Sequence, residues 1–189
     1  SAHRNAAEHL EALEQSLQCM RHRGPDAAGT WHDEDAAFGF NRLSIIDLEH
    51  SDQPLRWGPE DNPERYALTF NGEIYNYVEL REELSAAGYS FHTEGDGEPI
   101  VVGYHHWGKD VVEHLRGMFG FVIWDTETRT MFAGRDQFGI KPLYYATTDK
   151  GTVFASEMKC ILSMADSMGL DLSLDKRAIE HLSLIHISE

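Results

Sequence analysis

A layered α+β domain is predicted by three observations on this 189-residue chain. An amphipathic helical stretch opens it. Runs of β-type residues then lie on either side of a central block with helical periodicity. The order of helix, strands, helices and strands lacks the regular alternation of βαβ units. Hydrophobic residues make up 41% and charged residues 25%, a globular composition sufficient for one domain with its own core.

Each element follows from local chemistry. Leu10, Leu13, Leu17 and Met20 recur at three- and four-residue spacing, which predicts a helix over residues 5–20 with glutamates on its outer face. Arg23-Gly24-Pro25-Asp26 ends it, because glycine and proline favour a turn. Strands follow to about residue 75, clearest over residues 36–43 and 66–70. The Asn71-Gly72 pair is expected to stop the second of these and release the chain towards a helix. That helix has Asn76 as N-cap, buries Leu80 and Leu84, and stops at Gly88. Another begins near Glu98-Pro99, with proline in the first turn and Asp96 suited to the N-cap, and reaches about His106. A short helix over residues 111–115 precedes strands at 119–124 and 130–133, joined through residues 125–129. Two more, at 143–146 and 153–155, flank a turn at Asp149-Lys150-Gly151.

The balance of charge narrows the function. Sixteen basic against thirty-two acidic residues give a formal charge of -16, which disfavours nucleic acid and anionic membrane surfaces as partners. No apolar run reaches the roughly 20 residues of a membrane span, and the polar, helical start is unlike a signal peptide, so the expected compartment is the cytosol. Two cysteines, Cys19 and Cys160, make no disulfide framework. His105 and His106 are adjacent and diverge on a helix, so no metal site is expected.

The chemistry-bearing residues are Arg42, the stretch Phe70-Asn71-Gly72-Glu73-Ile74-Tyr75-Asn76, and Asp96 within Gly95-Asp96-Gly97-Glu98. A guanidinium grips a carboxylate as a planar fork. An acid pairs with an ammonium. A carboxamide beside a glycine N–H receives a developing oxyanion. Together these are the groups that free glutamine requires while its amide is cleaved. Each has a structural reading as well: Asn71-Gly72 as a hairpin turn, Arg42 as a surface partner of Asp47, Asp96 as a helix cap. Arg23 with Asp26, and Arg135 with Asp136, are expected to form structural ion pairs within tight turns.

Five ordered motifs resemble the glutaminase domain of glutamine-dependent asparagine synthetase, a class II, N-terminal-nucleophile glutamine amidotransferase. They are His22-Arg23-Gly24-Pro25-Asp26, Arg42-Leu43-Ser44-Ile45-Ile46-Asp47, the Phe70–Asn76 stretch, Gly95-Asp96-Gly97-Glu98, and Arg135-Asp136-Gln137-Phe138-Gly139-Ile140-Lys141-Pro142-Leu143-Tyr144. The resemblance runs from about Cys19 to about Leu184. It implies a four-layer αββα sandwich of two antiparallel sheets. It also implies that Arg42 binds the glutamine α-carboxylate, with Leu43, Ser44, Ile45 and Ile46 lining the pocket. Asn71 and Gly72 would form the oxyanion hole, and Glu73 and Asp96 would meet the amino end. No cofactor is implied in this domain. ATP and Mg2+ belong to a C-terminal synthetase domain, the implied partner, which amidates aspartate with the released ammonia; a homodimer is left open.

The chain departs from that family at both ends. The family opens on a nucleophilic cysteine whose own α-amino group, with a pKa near about 8, acts as base. Here Ser1-Ala2-His3-Arg4 leads straight into the helix. The expectation is therefore a glutaminase domain over residues 1–184 that lacks its first strand and its nucleophile and is inactive by itself. Residues 185–189 form an atypical tail, and the synthetase domain is absent. The competing readings are a catalytically dead glutamine-binding module and an amidotransferase that feeds another acceptor.

Overall fold

The computed structural model describes residues 6–25, 27–42 and 53–173. After a 3-10 turn at Ala6–His9, helix α1 spans Leu10–Cys19. Strands β1 (Ala27–His32), β2 (Ala37–Arg42), β3 (Leu55–Trp57) and β4 (Tyr66–Ile74) lead to helices α2 (Tyr77–Ala86), α3 (Glu98–Trp107) and α4 (Val111–His114). Strands β5 (Gly117–Asp125), β6 (Thr130–Arg135), β7 (Tyr144–Thr148) and β8 (Gly151–Ala155) follow, and α5 (Met158–Ser163) and α6 (Ala165–Met168) end the described chain.

Strand alternation builds the layers. β3-β4-β5-β6 form one antiparallel sheet, whereas β1-β2 and β7-β8 are separate hairpins. Successive strand side chains point to opposite faces. On β4 and β5 the residues Tyr66, Leu68, Ile74, Phe119, Phe121 and Ile123 face α2, α3 and α4, where Leu84, Ile100 and Val101 are wholly buried. Ala67, Val122 and Trp124 take the other face and meet Phe38, Leu143 and Phe154 of the hairpin layer. Helix α1 covers β2 and α5, and α5 covers β7 and β8. The order is helices, sheet, hairpins, helices, the αββα sandwich that the resemblance implies.

Polar anchors fix the layers against one another. The Trp124 indole donates to Asp33 across them at 2.6 Å. At the sheet's end the Arg65 guanidinium grips Asp125 with two hydrogen bonds, 3.0 and 2.7 Å. Burial alone would push the Asp125 carboxyl up, but Arg65 and the N–H groups of Thr128 and Glu127 outweigh it and hold it below the usual range. A depressed folded pKa contributes stability that is fully present above the unfolded value of about 3.9 and is lost as pH falls through the folded value. Urea unfolding of the Arg65→Met variant, which removes the grip, should therefore show a flatter loss of stability on acidification than the parent. His105 and His106 diverge as expected, towards the Tyr66 hydroxyl at 3.0 Å and the Tyr89 hydroxyl at 3.2 Å.

Three local expectations are corrected. Asn71-Gly72 is not a turn, because β4 continues to Ile74, paired with β5 throughout. Asn76 stands at the start of α2, but its carboxamide caps nothing; it bridges to the His114 carbonyl and the Arg116 N–H, both near 2.9 Å. The expected Arg135–Asp136 ion pair does not form. Arg23 turns to Glu157 of the α5 N-cap at 3.5 Å, and Asp26 lies outside the described residues. Arg135 donates to the carbonyls of Gly139 and Lys141, while Asp136 accepts from backbone N–H groups alone.

Candidate functional site

The hairpin layer and the four-stranded sheet enclose a cavity of about 1010 Å³. Among the described residues it is lined by consecutive positions 37–41 of β2 and by every residue of β8, and by none of β1 or β7. Among the described residues β2 and β8 each pair on one side only, so each has a free edge, and both border the cavity along their length. Its floor is the cavity face of β4 and β5.

Asn71, Gly72, Glu73 and Asp96 meet at one end of this cavity. Asn71 and Glu73 share the cavity face of β4 with Ala67, by the strand's two-residue period. Among the described residues the Asn71 carboxamide has no hydrogen-bond partner. Gly72 is a glycine because β5 comes too close for anything larger: a Cβ would lie 2.1 Å from the Met118 carbonyl oxygen, at a φ of +156°. Across the ladder Gly117 answers the same crowding, its Cβ position being 2.2 Å from the Glu73 carbonyl oxygen.

Asp96 reaches this corner because its loop is pinned on both sides. The buried Glu98 carboxylate accepts the His92 and Thr93 N–H groups, each at 2.8 Å. Arg81 of α2 donates to the Thr93 and Gly95 carbonyls and lies over the Phe91 ring. Asp96 does not cap α3, whose N-cap is Gly97. Its Oδ2 instead accepts the Ile74 N–H at 2.8 Å. Burial pushes its carboxyl up, against that N–H and its own, and Glu73 adds to the rise. Among the described residues this half-buried acid has no cation of its own, which suits it to an ammonium ligand.

The edge of β4 carries the most specific arrangement. Leu68 is paired there with Leu55 of β3. Two residues on, the Gln53 carboxamide takes both polar groups of Phe70, donating to its carbonyl at 2.8 Å and accepting its N–H at 2.9 Å. Four residues further along the same edge, Ile74 donates to Asp96. By alternation the Gly72 N–H points to this edge too, between the Gln53 and Asp96 side chains, and among the described residues it is left for a ligand.

Arg42 ends β2 opposite Ala27, two residues past Phe40 on the cavity wall. Its side chain and the whole of Leu43, Ser44, Ile45 and Ile46 lie outside what is described. Gln53 is the site residue that sequence reasoning missed; its signal is a strand register, which exists only once β3 and β4 are paired. Neither cysteine resembles an activated nucleophile. Cys19 ends α1. Cys160 is buried on the helix side of the cavity, and burial pushes its thiol up.

Comparison with known proteins identifies the family. The sequence profile described as a glutamine amidotransferase domain matches residues 1–189. A putative glutamine-hydrolysing asparagine synthetase of Mycobacterium tuberculosis is 55% identical over 185 residues, covering 95% of this chain and 28% of that protein. Glutamine-hydrolysing asparagine synthetase 1 of Bacillus subtilis is 47% identical over 174 residues, covering 92% of this chain and 26% of its own length. The chain thus spans little more than a quarter of these relatives. Glutamine phosphoribosylpyrophosphate amidotransferase from B. subtilis superposes with a TM-score of 0.62 at 22% identity, over 82% of this chain and 40% of that one, a likeness of fold.

Proposed function

Because the chain belongs to the glutamine amidotransferase domain family, we propose that its cavity binds L-glutamine and that it is the glutaminase portion of a glutamine-hydrolysing asparagine synthase. The observation that carries the reading is the β4 edge, where the Gly72 N–H and the Asp96 carboxylate moored to Ile74 stand two strand positions apart beside one cavity.

In this reading the Arg42 guanidinium holds the α-carboxylate, and Ser44 and its neighbours through Ile46 close the pocket. Asp96 and Glu73 pair with the α-ammonium, whose charge favours the ionised form that burial opposes at Asp96. A thiolate attacks the carboxamide carbon, and the carbonyl oxygen gains charge between the Asn71 carboxamide and the Gly72 N–H. Collapse forms a thioester and expels ammonia; water then releases glutamate. Cys19 and Cys160 are misplaced to supply that thiolate, and the slot bordered by β2 and β8 is where an extended segment bearing one would fit. In this reading the 189-residue chain binds glutamine and does not turn it over, because neither of its two cysteines is placed to attack. Ammonia passes to a synthetase domain, where ATP-dependent amidation of aspartate consumes it.

Calorimetric titration of the chain with L-glutamine should show saturable binding, with no steady release of glutamate. Asp96→Asn should weaken binding at least tenfold, the order expected for one buried ionic contact. The same variant should melt no lower than the parent, because it removes a buried charge while keeping an acceptor for Ile74. Turnover by the parent chain would refute the dependence on an added nucleophile, and unaltered binding by Asp96→Asn would refute the ammonium site.

A further inference from the structure

Residue 53 lies two places beyond Leu55 on the approach to β3, and Phe70 lies two places beyond Leu68 on β4. The antiparallel register Leu55↔Leu68 therefore sets residue 53 opposite Phe70. In a regular ladder the main chain of residue 53 would exchange both hydrogen bonds with Phe70. Here the side chain of Gln53 makes the exchange instead. A carboxamide is a peptide group on a tether. It supplies one donor and one acceptor at peptide spacing, which a carboxylate or a hydroxyl cannot do.

We infer that Gln53 is a positioning residue for the oxyanion donor: its amide extends the β3–β4 ladder by one rung and so aims the next edge N–H, that of Gly72, into the cavity. Gln53 itself lines that cavity beside Phe70 and Asn71. The far side of Gly72 is held by the Ile74–Asp96 bond, so the two side chains bracket one free rung. Removing the nearer bracket frees this edge of β4 to tilt about its intact β5 bonds and carries the Gly72 N–H with it. The inference rests on the glutamine reading of the cavity.

The test uses the 189-residue chain with Gln53→Met, which keeps the length of the side chain and loses both bonds, and with Gln53→Glu. Amide hydrogen exchange by NMR reads the strand, and calorimetry reads L-glutamine. In Gln53→Met the Phe70 N–H should exchange at least tenfold faster while the β4–β5 amides keep their protection. Glutamine affinity should fall roughly tenfold, the loss expected of two neutral hydrogen bonds. Gln53→Glu should bind poorly at pH 8, where its carboxylate cannot donate to the Phe70 carbonyl, and recover towards pH 5 as it protonates and regains a donor. The acids Asp35, Glu73 and Asp96, the bases Arg23, Arg129, Lys141 and Lys150, and His9 also line the cavity, and they are common to both proteins, so the difference between the two pH profiles isolates residue 53. A purely structural role predicts no such recovery. Parental affinity in Gln53→Met, or a pH-independent defect in Gln53→Glu, overturns the inference. If the parent chain binds no glutamine, the cavity reading fails, and Phe70 exchange in Gln53→Met still decides whether Gln53 holds the strand.

Discussion

Gly72→Ala is expected to abolish glutamine binding and to lower the unfolding free energy by about 3 kcal/mol or more, the range of overpacking combined with backbone strain. The added methyl would sit 2.1 Å from the Met118 carbonyl oxygen and 2.8 Å from the Phe119 Cα, both main-chain atoms of the central β5. No side chain can rotate away to admit it. Relief requires β4 and β5 to part at the rung that carries the Gly72 N–H. Gly117→Ala should do comparable harm from the other strand, through the Glu73 carbonyl. Gly95→Ala is the control, because its Cβ would meet nothing nearer than a Thr93 hydroxyl at 3.8 Å. Urea unfolding and calorimetry on the three variants separate the outcomes, and a Gly72→Ala protein of parental stability would contradict the packing described.

Asp136→Ala is expected to cost about 4 kcal/mol in urea unfolding, the scale for removing a buried charge that satisfies several donors. This carboxylate, 5% exposed, accepts four backbone N–H groups: Ile140 at 2.8 Å, Lys141 at 2.9 Å, Phe138 at 3.1 Å and Phe119 at 3.2 Å. Burial would push its carboxyl up, yet Lys141, Ile140, Phe119 and Phe138 together hold it below the ordinary range. One side chain thus folds residues 136–141 into a fixed loop that carries Phe138, 83% exposed, and Ile140, 58% exposed. Asp136→Asn should lose about half as much, since its NH2 must face two of the four donors. Equal losses for the two variants would show that packing, rather than hydrogen bonding, holds the loop.

The helices were legible because their apolar residues repeat at short range: Leu10, Leu13 and Leu17 in α1, Leu80 and Leu84 in α2. The pairing partners of polar side chains were not. Asn71-Gly72 reads as a turn in one dimension, whereas in the sheet the glycine answers the approach of a carbonyl 46 residues away at Met118. Asp96 has the chemistry of a helix cap, and its actual donor belongs to Ile74. Arg135 and Asp136 are neighbours of opposite charge, and each finds better-placed main-chain groups than the other. Gln53 carries no signal until the register of β3 is known. The choice of Asn71, Gly72, Glu73 and Asp96 as one group came from their residue types and motif order, and they share one cavity. Arg42 is followed only as far as its strand end.

Under the proposed glutamine reading, the Ile74–Asp96 bond makes β4 a gauge of substrate length. Gly72 and Ile74 are two strand residues apart, roughly 7 Å of extended chain, and the acid is moored to the second of them. An amino acid gripped by its ammonium at Asp96 must extend its amide oxygen back to Gly72. Asparagine, one methylene shorter, falls short of one mooring whenever it satisfies the other.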